Sequence, residues 1–427
     1  MNIVMFTNTF TPHVGGVARS VSAFSDEYRR RGHRALVVAP EYQRRPAAET
    51  GVLRVPAIQH FNGSDFSMVL PLPRRLSESL NGFAPQLVHA HHPYLLGMTA
   101  LRIARYRQLP LVFTHHTLYE QYTHYVPGNL PRLARFVIEL ATRYANLTDH
   151  VFAPSESIAA LIRERGVRAP VTVVPTGVDT RIYARGDGRR LRAEQAIPED
   201  AFVVGHVGRL APEKNLRFLA QALATFLADN SGAHLLVAGE GPSEQVIRAT
   251  MVQAGLASRL HLLGVLDAAR LSDVYHAMDV FAFASLTETQ GMVLTEAMAA
   301  GVPVVAVDAA GVREVVEDGR NGRLLNREDA VSFAKALAWI ADLPVQRRAA
   351  LRCAANATAA RYTLPVTAER ALAVYETLCR QSYVARPVEF EQWQRTVKLV
   401  KAEWQIFKGM TRAAGAALGS AQRESGT

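Results

Sequence analysis

Ala284-Ser285-Leu286-Thr287-Glu288-Thr289-Gln290-Gly291-Met292-Val293-Leu294-Thr295-Glu296 is the stretch from which the rest of the chain can be read. The apolar run Asp279 to Phe283 before it reads as a buried strand. Ala297 to Ala300 after it continue a helix that Gly301 and Pro303 stop. A loop that hands a strand to a helix leaves the backbone N–H groups of Gln290, Gly291 and Met292 at a helix N-terminus, a place that stabilises anionic oxygens. Glu288 in the loop and Glu296 in the helix flank that place. Both can accept hydrogen bonds from hydroxyls, one from a sugar and one from a ribose. The same two carboxylates also fit a solvated helix start favoured by the macrodipole, so the surrounding chain has to decide between the two readings.

Before the stretch, short apolar runs alternate with helical patterns. Asn2 to Phe6, Arg34 to Ala39, Gln86 to Ala90, Leu111 to Thr114, His150 to Ala153 and Val171 to Val174 read as strands; Val17 to Arg31, Leu95 to Arg107, Leu130 to Ala145 and Glu156 to Glu164 read as helices. This alternation predicts a parallel sheet with helices on both faces. Pro175-Thr176-Gly177-Val178-Asp179 breaks the rhythm as an interdomain linker, and Arg185 to Asp200, polar and rich in Gly and Arg, reads as a surface excursion. A second series follows, with strands at Phe202 to Val207, His234 to Ala238, Leu260 to Leu263, Val280 to Phe283 and Val304 to Val307, and helical sequence from Ala330 to Gln381. The fold class is therefore α/β with two doubly wound domains, 1–174 and 175–385, whose strand ends face a common cleft. Val388 to Met410 reads as one or two further helices carrying Trp393 and Trp404.

Composition narrows the function classes. The 427 residues are 49% hydrophobic and 20% charged, ordinary for globular protein and too long for one core. Met1 to Phe6 is too short for a secretory apolar region, and no run reaches the roughly 18 apolar residues of a spanning helix, so a cytoplasmic chain without a membrane span is expected. Cys353 and Cys379 are expected as buried thiols, with neither a disulfide nor a metal cluster available. Net charge is +10, and residues 1–175 alone hold 19 Arg, no Lys and 11 acids. With no zinc-finger spacing and no ribonucleoprotein motif, this basic character points to an anionic lipid surface ahead of nucleic acid. Arg74 with Arg75, Arg102 with Arg105 and Arg107, and Arg132 with Arg135 are the candidate interfacial groups.

Four further segments end strands at the same cleft. Gly15 and Gly16 open the first helix and allow backbone to approach a diphosphate, although Gly-x-Gly-x-x-Gly is absent. Arg209 and Lys214, five residues apart in the equivalent turn of the second domain, can converge on one diphosphate. Thr114 to Tyr125 holds three histidines and three tyrosines, His115, His116, His124, Tyr119, Tyr122 and Tyr125, with Glu120 among them. Adjacent histidines suit a sugar cleft better than a tetrahedral zinc. His89, His91 and His92 end the preceding strand and line the same cleft or cap it. The turns at Gly241 and at Val265-Leu266 suit a nucleotide base, and no Asp-x-Asp pair is present to hold a divalent cation.

With these parts in place, the chain resembles the retaining GT-B glycosyltransferases of the family that includes phosphatidylinositol mannosyltransferases and bacterial α-glucosyl-diacylglycerol synthases. The resemblance runs over nearly the whole chain on an ordered set: Gly15-Gly16, His116-Thr117, Arg209 with Lys214, and Glu288 with seven residues before Glu296. It implies that Gly16 meets the donor diphosphate and His116 the transferred sugar. It also implies that Arg209 and Lys214 hold the diphosphate, Glu288 the sugar hydroxyls, Gly291 to Val293 the phosphate through backbone, and Glu296 the ribose. Thr289 and Gln290 complete that donor set, and His115, Tyr119, Glu120 and His124 are the implied acceptor contacts. Residues 386–427 are implied to cross back onto the first domain and end in a basic tail. The segments His116 to Tyr125 and Thr287 to Gly291 look most like the diacylglycerol glucosyltransferase branch, with Gln290 where Phe is commoner in the wider family.

The resemblance thus implies a metal-independent hexosyltransferase, with a UDP-sugar as donor and a lipid such as diacylglycerol as acceptor, peripheral on the cytoplasmic membrane face. Transfer to a soluble or polyprenyl-linked saccharide, and a nucleotide-sugar-binding regulator without turnover, are the alternatives.

Overall fold

The structure, a computed structural model, describes residues 1–12, 15–42, 49–58, 68–69, 73–118, 120 and 131–381. In chain order the first half comprises β1 (Asn2–Phe6), α1 (Gly16–Arg30), β2 (Arg34–Pro40), β3 (Val52–Val55), β4 (Ala57–Ile58), β5 (Met68–Val69), α2 (Pro73–Phe83), β6 (Leu87–Ala90), α3 (Leu96–Arg107), β7 (Leu111–Thr114), α4 (Pro131–Asn146), β8 (His150–Ala153), α5 (Glu156–Glu164) and β9 (Val171–Val173). Seven of these strands form a parallel sheet in the order β3-β2-β1-β6-β7-β8-β9. Side chains alternate across it: Val4 and Phe6 pack with α3 on one face, Ile3 and Met5 with α1 on the other. Burial on both faces is why these strands read as continuous apolar runs.

The second half comprises α6 (Thr180–Tyr183), α7 (Gly188–Glu194), β10 (Phe202–Val207), α8 (Leu216–Asp229), β11 (Ala233–Ala238), α9 (Glu244–Gln253), β12 (Leu260–Leu262), α10 (Ala268–Ala277), β13 (Val280–Phe283), α11 (Met292–Ala299), β14 (Val304–Val307), β15 (Gly322–Leu325), α12 (Ala330–Ala341), α13 (Val345–Arg361) and α14 (Leu364–Arg380). Its six parallel strands run β12-β11-β10-β13-β14-β15. This is the expected pair of doubly wound domains. In each sheet the strand order reverses beside the central strand, between β1 and β6 and between β10 and β13. Ligands of open α/β sheets bind outside the strand ends at such reversals.

Several sequence expectations need correction. The strands β3 and β15 are absent from the sequence reading because both lie at sheet edges, are largely half-buried, and carry a charge. Arg54 on β3 pairs with Glu49 and donates to Pro40 O at 2.8 Å, and Arg323 on β15 pairs with Asp318 at 2.7 Å. The segment Arg185 to Asp200 is more than a surface excursion. Asp187 caps α7, Leu191 is buried, and Arg190 and Arg192 reach Asp273 at 2.6 Å and Asp279 at 2.9 Å, so charges that looked solvated dock the helix on α10. Cys353 is exposed and Cys379 half-buried, against the expectation of two buried thiols; Cys353 sits off the apolar stripe of its helix, and Cys379 packs at the edge of the first-domain core.

The second domain also ends earlier than residue 385. Ala368, Ala371, Leu372 and Tyr375 of α14 lie in the first-domain core with Ile3, Met5, Val21 and Tyr28. The chain has therefore returned to the first domain by Ala368. The return expected through 386–427, with Trp393 and Trp404, lies outside the described residues. Outgoing and returning crossings are joined, with Val178 N donating to Tyr362 O at 2.8 Å and Leu364 N to Val178 O at 3.0 Å. A Cβ on Gly177 would come within 2.3 Å of Leu364 Cα, so only glycine permits that approach.

Candidate active site

On the second-domain side, β13 ends at Phe283 and the loop runs to Gly291, which caps α11 at φ +68, a left-handed conformation that favours glycine. The first-turn N–H groups of Met292 and Val293 open at this end of the helix. Lys214 closes a short turn, Pro212–Lys214, after β10 and ion-pairs with Glu288. Both side chains are mostly buried. Arg209 is half-exposed and pairs with the buried Glu213, whose carbonyl also accepts from Ser285 Oγ and Thr287 Oγ1, each at 3.3 Å. Lys214 and Arg209 thus stand beside a helix N-terminus, each neutralised by its own carboxylate in the free protein, so an anionic ligand reaches either cation by displacing that partner.

Glu296 is buried and is not a solvated helix-start charge. It ion-pairs with Arg19, which comes from α1 of the other domain, and accepts from Tyr275 Oη at 2.9 Å. Arg19 also donates to Tyr183 Oη at 3.3 Å. The Glu296 carboxylate pushes the Arg19 guanidinium upward, while burial, with Glu296 adding to it, raises the Tyr275 and Tyr183 hydroxyls. Both carboxylates of the loop therefore hold a cation in the free protein. The two carboxylates expected as open hydroxyl acceptors are already engaged.

The first-domain side is built from neutral histidines. His91, just past β6, places Nδ1 2.8 Å from His116 Nε2, and the rings stack at 5.1 Å. Thr289 Oγ1 donates to His116 O at 2.9 Å, which ties this wall to the loop before α11. His89 bridges Thr114 Oγ1 at 2.7 Å and Tyr375 Oη at 2.7 Å. His92 Nδ1 accepts from Asn8 N at 3.1 Å. Burial pushes His89 and His92 down to about 3 and His115 to about 4, and holds His91 and His116 well below the ordinary imidazole value. At Gly16 a Cβ would meet nothing within 4 Å, so internal contacts do not demand glycine; the open space in front of its backbone suits ligand approach.

Two of the acceptor contacts are placed differently from expectation. His115 is buried among core side chains, its ring edge against Phe113 at 5.9 Å, because the strand pleat turns it away from the cleft. Glu120 is bound by Arg165, the residue that caps the end of α5, at 2.7 Å. Tyr119 and His124 lie outside the described residues. The two turns expected at the nucleotide base do come together, with Gly239 N donating to Gly264 O at 2.8 Å beside Gly241 and Val265. Val265 is exposed, whereas Leu266 packs partly on the second-domain core and Gly241 lies against Leu210 O, where a Cβ would sit at 2.3 Å. Among the described residues no three His, Cys, Asp or Glu side chains form a metal-ligand set.

Gln290 has a role that its spacing did not reveal. It is buried, accepts from Thr176 N at 2.6 Å and donates to Thr176 O at 2.6 Å, fastening the loop before α11 to the interdomain linker. Thr176 Oγ1 in turn donates to Ser20 Oγ of α1 at 2.8 Å. Arg19 was also missed, although its position three residues after Gly16, on the helix face that opens at the cleft, was a usable signal.

The pattern of the family described as Glycosyltransferase Family 4 matches residues 14–182, and that of Glycosyl transferases group 1 matches residues 187–358. A GDP-mannose-dependent alpha-mannosyltransferase of Mycolicibacterium smegmatis is 33% identical over 389 residues, 88% of this chain and 98% of that one. An alpha-monoglucosyldiacylglycerol synthase of Streptococcus pneumoniae is 26% identical over 347 residues, 80% of this chain and 79% of that one. Among solved structures, Anabaena HepE in complex with UDP-glucose shares the fold with a TM-score of 0.69 at 23% identity, over 88% of this chain and 99% of that one.

Proposed function

The chain belongs to the glycosyltransferases of family 4 and group 1, and from that premise we propose that this hexosyltransferase moves glucose from UDP-glucose to a diacylglycerol-type lipid at an anionic membrane surface, with retention and without a metal. The observation that carries the reading is the meeting of Lys214 and Glu288 beside the first turn of α11, opposite His116. A donor diphosphate there replaces Glu288 as the partner of Lys214, and the freed carboxylate accepts from sugar hydroxyls. The acceptor hydroxyl attacks the anomeric carbon on the face that the diphosphate leaves. The bond from that carbon to phosphate oxygen breaks, and the acceptor proton passes to the departing oxygen. Lys214, Arg209 and the α11 N–H groups stabilise the charge that develops there.

Glucose and a lipid acceptor are supported by the likeness to the alpha-monoglucosyldiacylglycerol synthases. Exposed Arg102 and Tyr106 on α3, and Arg135 beside half-buried Phe136, Val137 and Ile138 on α4, supply basic and apolar groups of the kind that rest on a bilayer surface. Arg105 and Arg107 are spent instead on Leu147 O at 2.8 Å and Asn81 Oδ1 at 2.6 Å. The side chains of Arg74, Arg75 and Arg132 lie outside the described residues. No described helix is long and apolar enough to cross a membrane.

Mannose from GDP-mannose is the second reading, favoured by the 33% identity to the M. smegmatis enzyme. Incubating the purified protein with UDP-glucose, GDP-mannose and other nucleotide sugars, on vesicles containing diacylglycerol with or without anionic lipid, decides between them by product mass. A hexosyl-diacylglycerol formed from UDP-glucose is the expected product. Turnover with GDP-mannose alone would overturn the glucose assignment, and turnover without any lipid product would overturn the acceptor.

A further inference from the structure

His91 carries a second piece of information about the sugar side of the cleft. Its Nδ1 lies 2.8 Å from His116 Nε2, while its own Nε2 is buried with no hydrogen-bond partner among the described residues. One proton is shared across the short contact, and hydrogen-bond accounting decides which ring owns it. Were His91 protonated on Nε2, a donor would be orphaned in the interior. Protonated on Nδ1, it leaves only an orphaned lone pair, the less costly of the two. A doubly protonated His91 is disfavoured by burial and by the neighbouring His89, His116 and His92.

His91 therefore donates from Nδ1, His116 accepts at Nε2, and the neutral His116 carries its own proton on Nδ1. The His91 ring is held between His89, at 4.1 Å, and His116, at 5.1 Å. The backbone of His116 is fixed on both sides, with N donating to Thr114 O at 3.1 Å and O accepting from Thr289 Oγ1 at 2.9 Å.

We propose that His91 is a positioning residue that fixes His116 as the Nδ1–H tautomer, making it a neutral hydrogen-bond donor to a hydroxyl of the transferred sugar. This rests on the assignment of His116 to the sugar. A hydroxyl that accepts from His116 keeps its own proton for a carboxylate such as Glu288. The opposite tautomer would draw that proton to the ring and leave the carboxylate without a donor.

The test separates the tautomer from its consequence. In the full chain labelled with nitrogen-15 histidine and free of donor, long-range proton–nitrogen correlations of His116, assigned by their loss in His116→Gln, report which ring nitrogen is protonated. The expected pattern is Nδ1–H in the parent and a mixed or Nε2–H pattern in His91→Leu. Nδ1–H should return in His91→Asn, whose amide N–H stands near the place of Nδ1. In the transfer assay His91→Leu lowers kcat about tenfold with donor KM changed less than about threefold, and His91→Asn recovers most of the loss.

An Nε2–H or doubly protonated His116 in the parent, or an unchanged pattern in His91→Leu, overturns the proposal. If Leu is not tolerated at 91, the parent spectrum and His91→Gln, whose amide reaches toward the Nε2 side, decide the same question. A tautomer that shifts while kcat does not overturns the sugar contact of His116 and leaves hexosyl transfer itself standing.

Discussion

The two walls of the cleft solve different problems with different chemistry. The second-domain wall is made of full charges held in pairs: Lys214 with Glu288, Arg209 with Glu213, and Glu296 with an Arg19 lent by the first domain. The first-domain wall is made of histidines that burial keeps neutral. A departing diphosphate gains charge as the reaction proceeds, and fixed cations stabilise that gain without reorganisation. A sugar hydroxyl stays neutral throughout, and oriented dipoles recognise it without attracting stray anions. On the proposed reaction, charge is placed where charge develops and removed where only orientation is needed.

Acid should break this contrast most severely. A histidine whose folded pKa lies below its unfolded value of about 6.5 leaves the unfolded chain binding more protons, so stability is complete above that pH and lost as pH falls toward the folded value. For His89 and His92, pushed to about 3, the window runs from about 6.5 down to about 3. Each contributes a slope of about 1.4 kcal/mol per pH unit there, enough over two units to cancel much of a typical domain's stability. The second domain has one fully buried histidine of this kind among the described residues, His206 on β10, pushed to about 4. Hydrogen exchange followed from neutral pH to pH 4 should therefore show β6 and β7 losing protection before β10 and β13. Simultaneous loss, or loss in the reverse order, would contradict the assignment of neutral histidines to the first wall.

Lys214→Ala strikes the charged wall instead. Turnover is expected to fall by more than tenfold, on the order of a hundredfold, because one of the cations facing the leaving group is removed. Urea and thermal melts should keep a folded transition, since the pair retains some solvent contact at its rim. Near-normal turnover would remove Lys214 from the mechanism.

Much of this plan was legible in the sequence, for a physical reason. Central parallel strands such as Phe202–Val207 and Val280–Phe283 are buried on both faces and are apolar apart from His206, so even their bounds could be read. The edge strands β3 and β15 gave no such signal, since they carry Arg54, nearly buried and paired with Glu49, and the part-exposed Arg323, paired with Asp318. The loop between β13 and α11 was legible because helix starts and glycine turns are local events. What could not be read was every contact made at long range. Gln290 meets Thr176 across 114 residues, Arg19 meets Glu296 across 277, and His89 meets Tyr375 across 286. Spacing along the chain carries no information about such pairs. His115 and His116 were equivalent as sequence, and the pleat of a single strand end sent one inward and the other to the cleft.

Glu296→Gln offers the smallest and most discriminating effect. The substitution keeps the size of the side chain and an oxygen that can accept from Tyr275, but it removes the charge that faces Arg19. If Glu296 holds the ribose, the contact lies far from the bond that breaks and is equally strong in the ground and transition states. An interaction of that kind appears in KM and leaves kcat alone. Donor KM should rise about tenfold, with kcat changed less than about threefold. Lys214→Ala, acting where charge develops, should show the opposite split. Were Glu296→Gln to lower kcat as Lys214→Ala does, Glu296 would belong with the groups that respond to the reacting centre, and the division between a wall that senses charge and an end that only binds would have to be redrawn through α11.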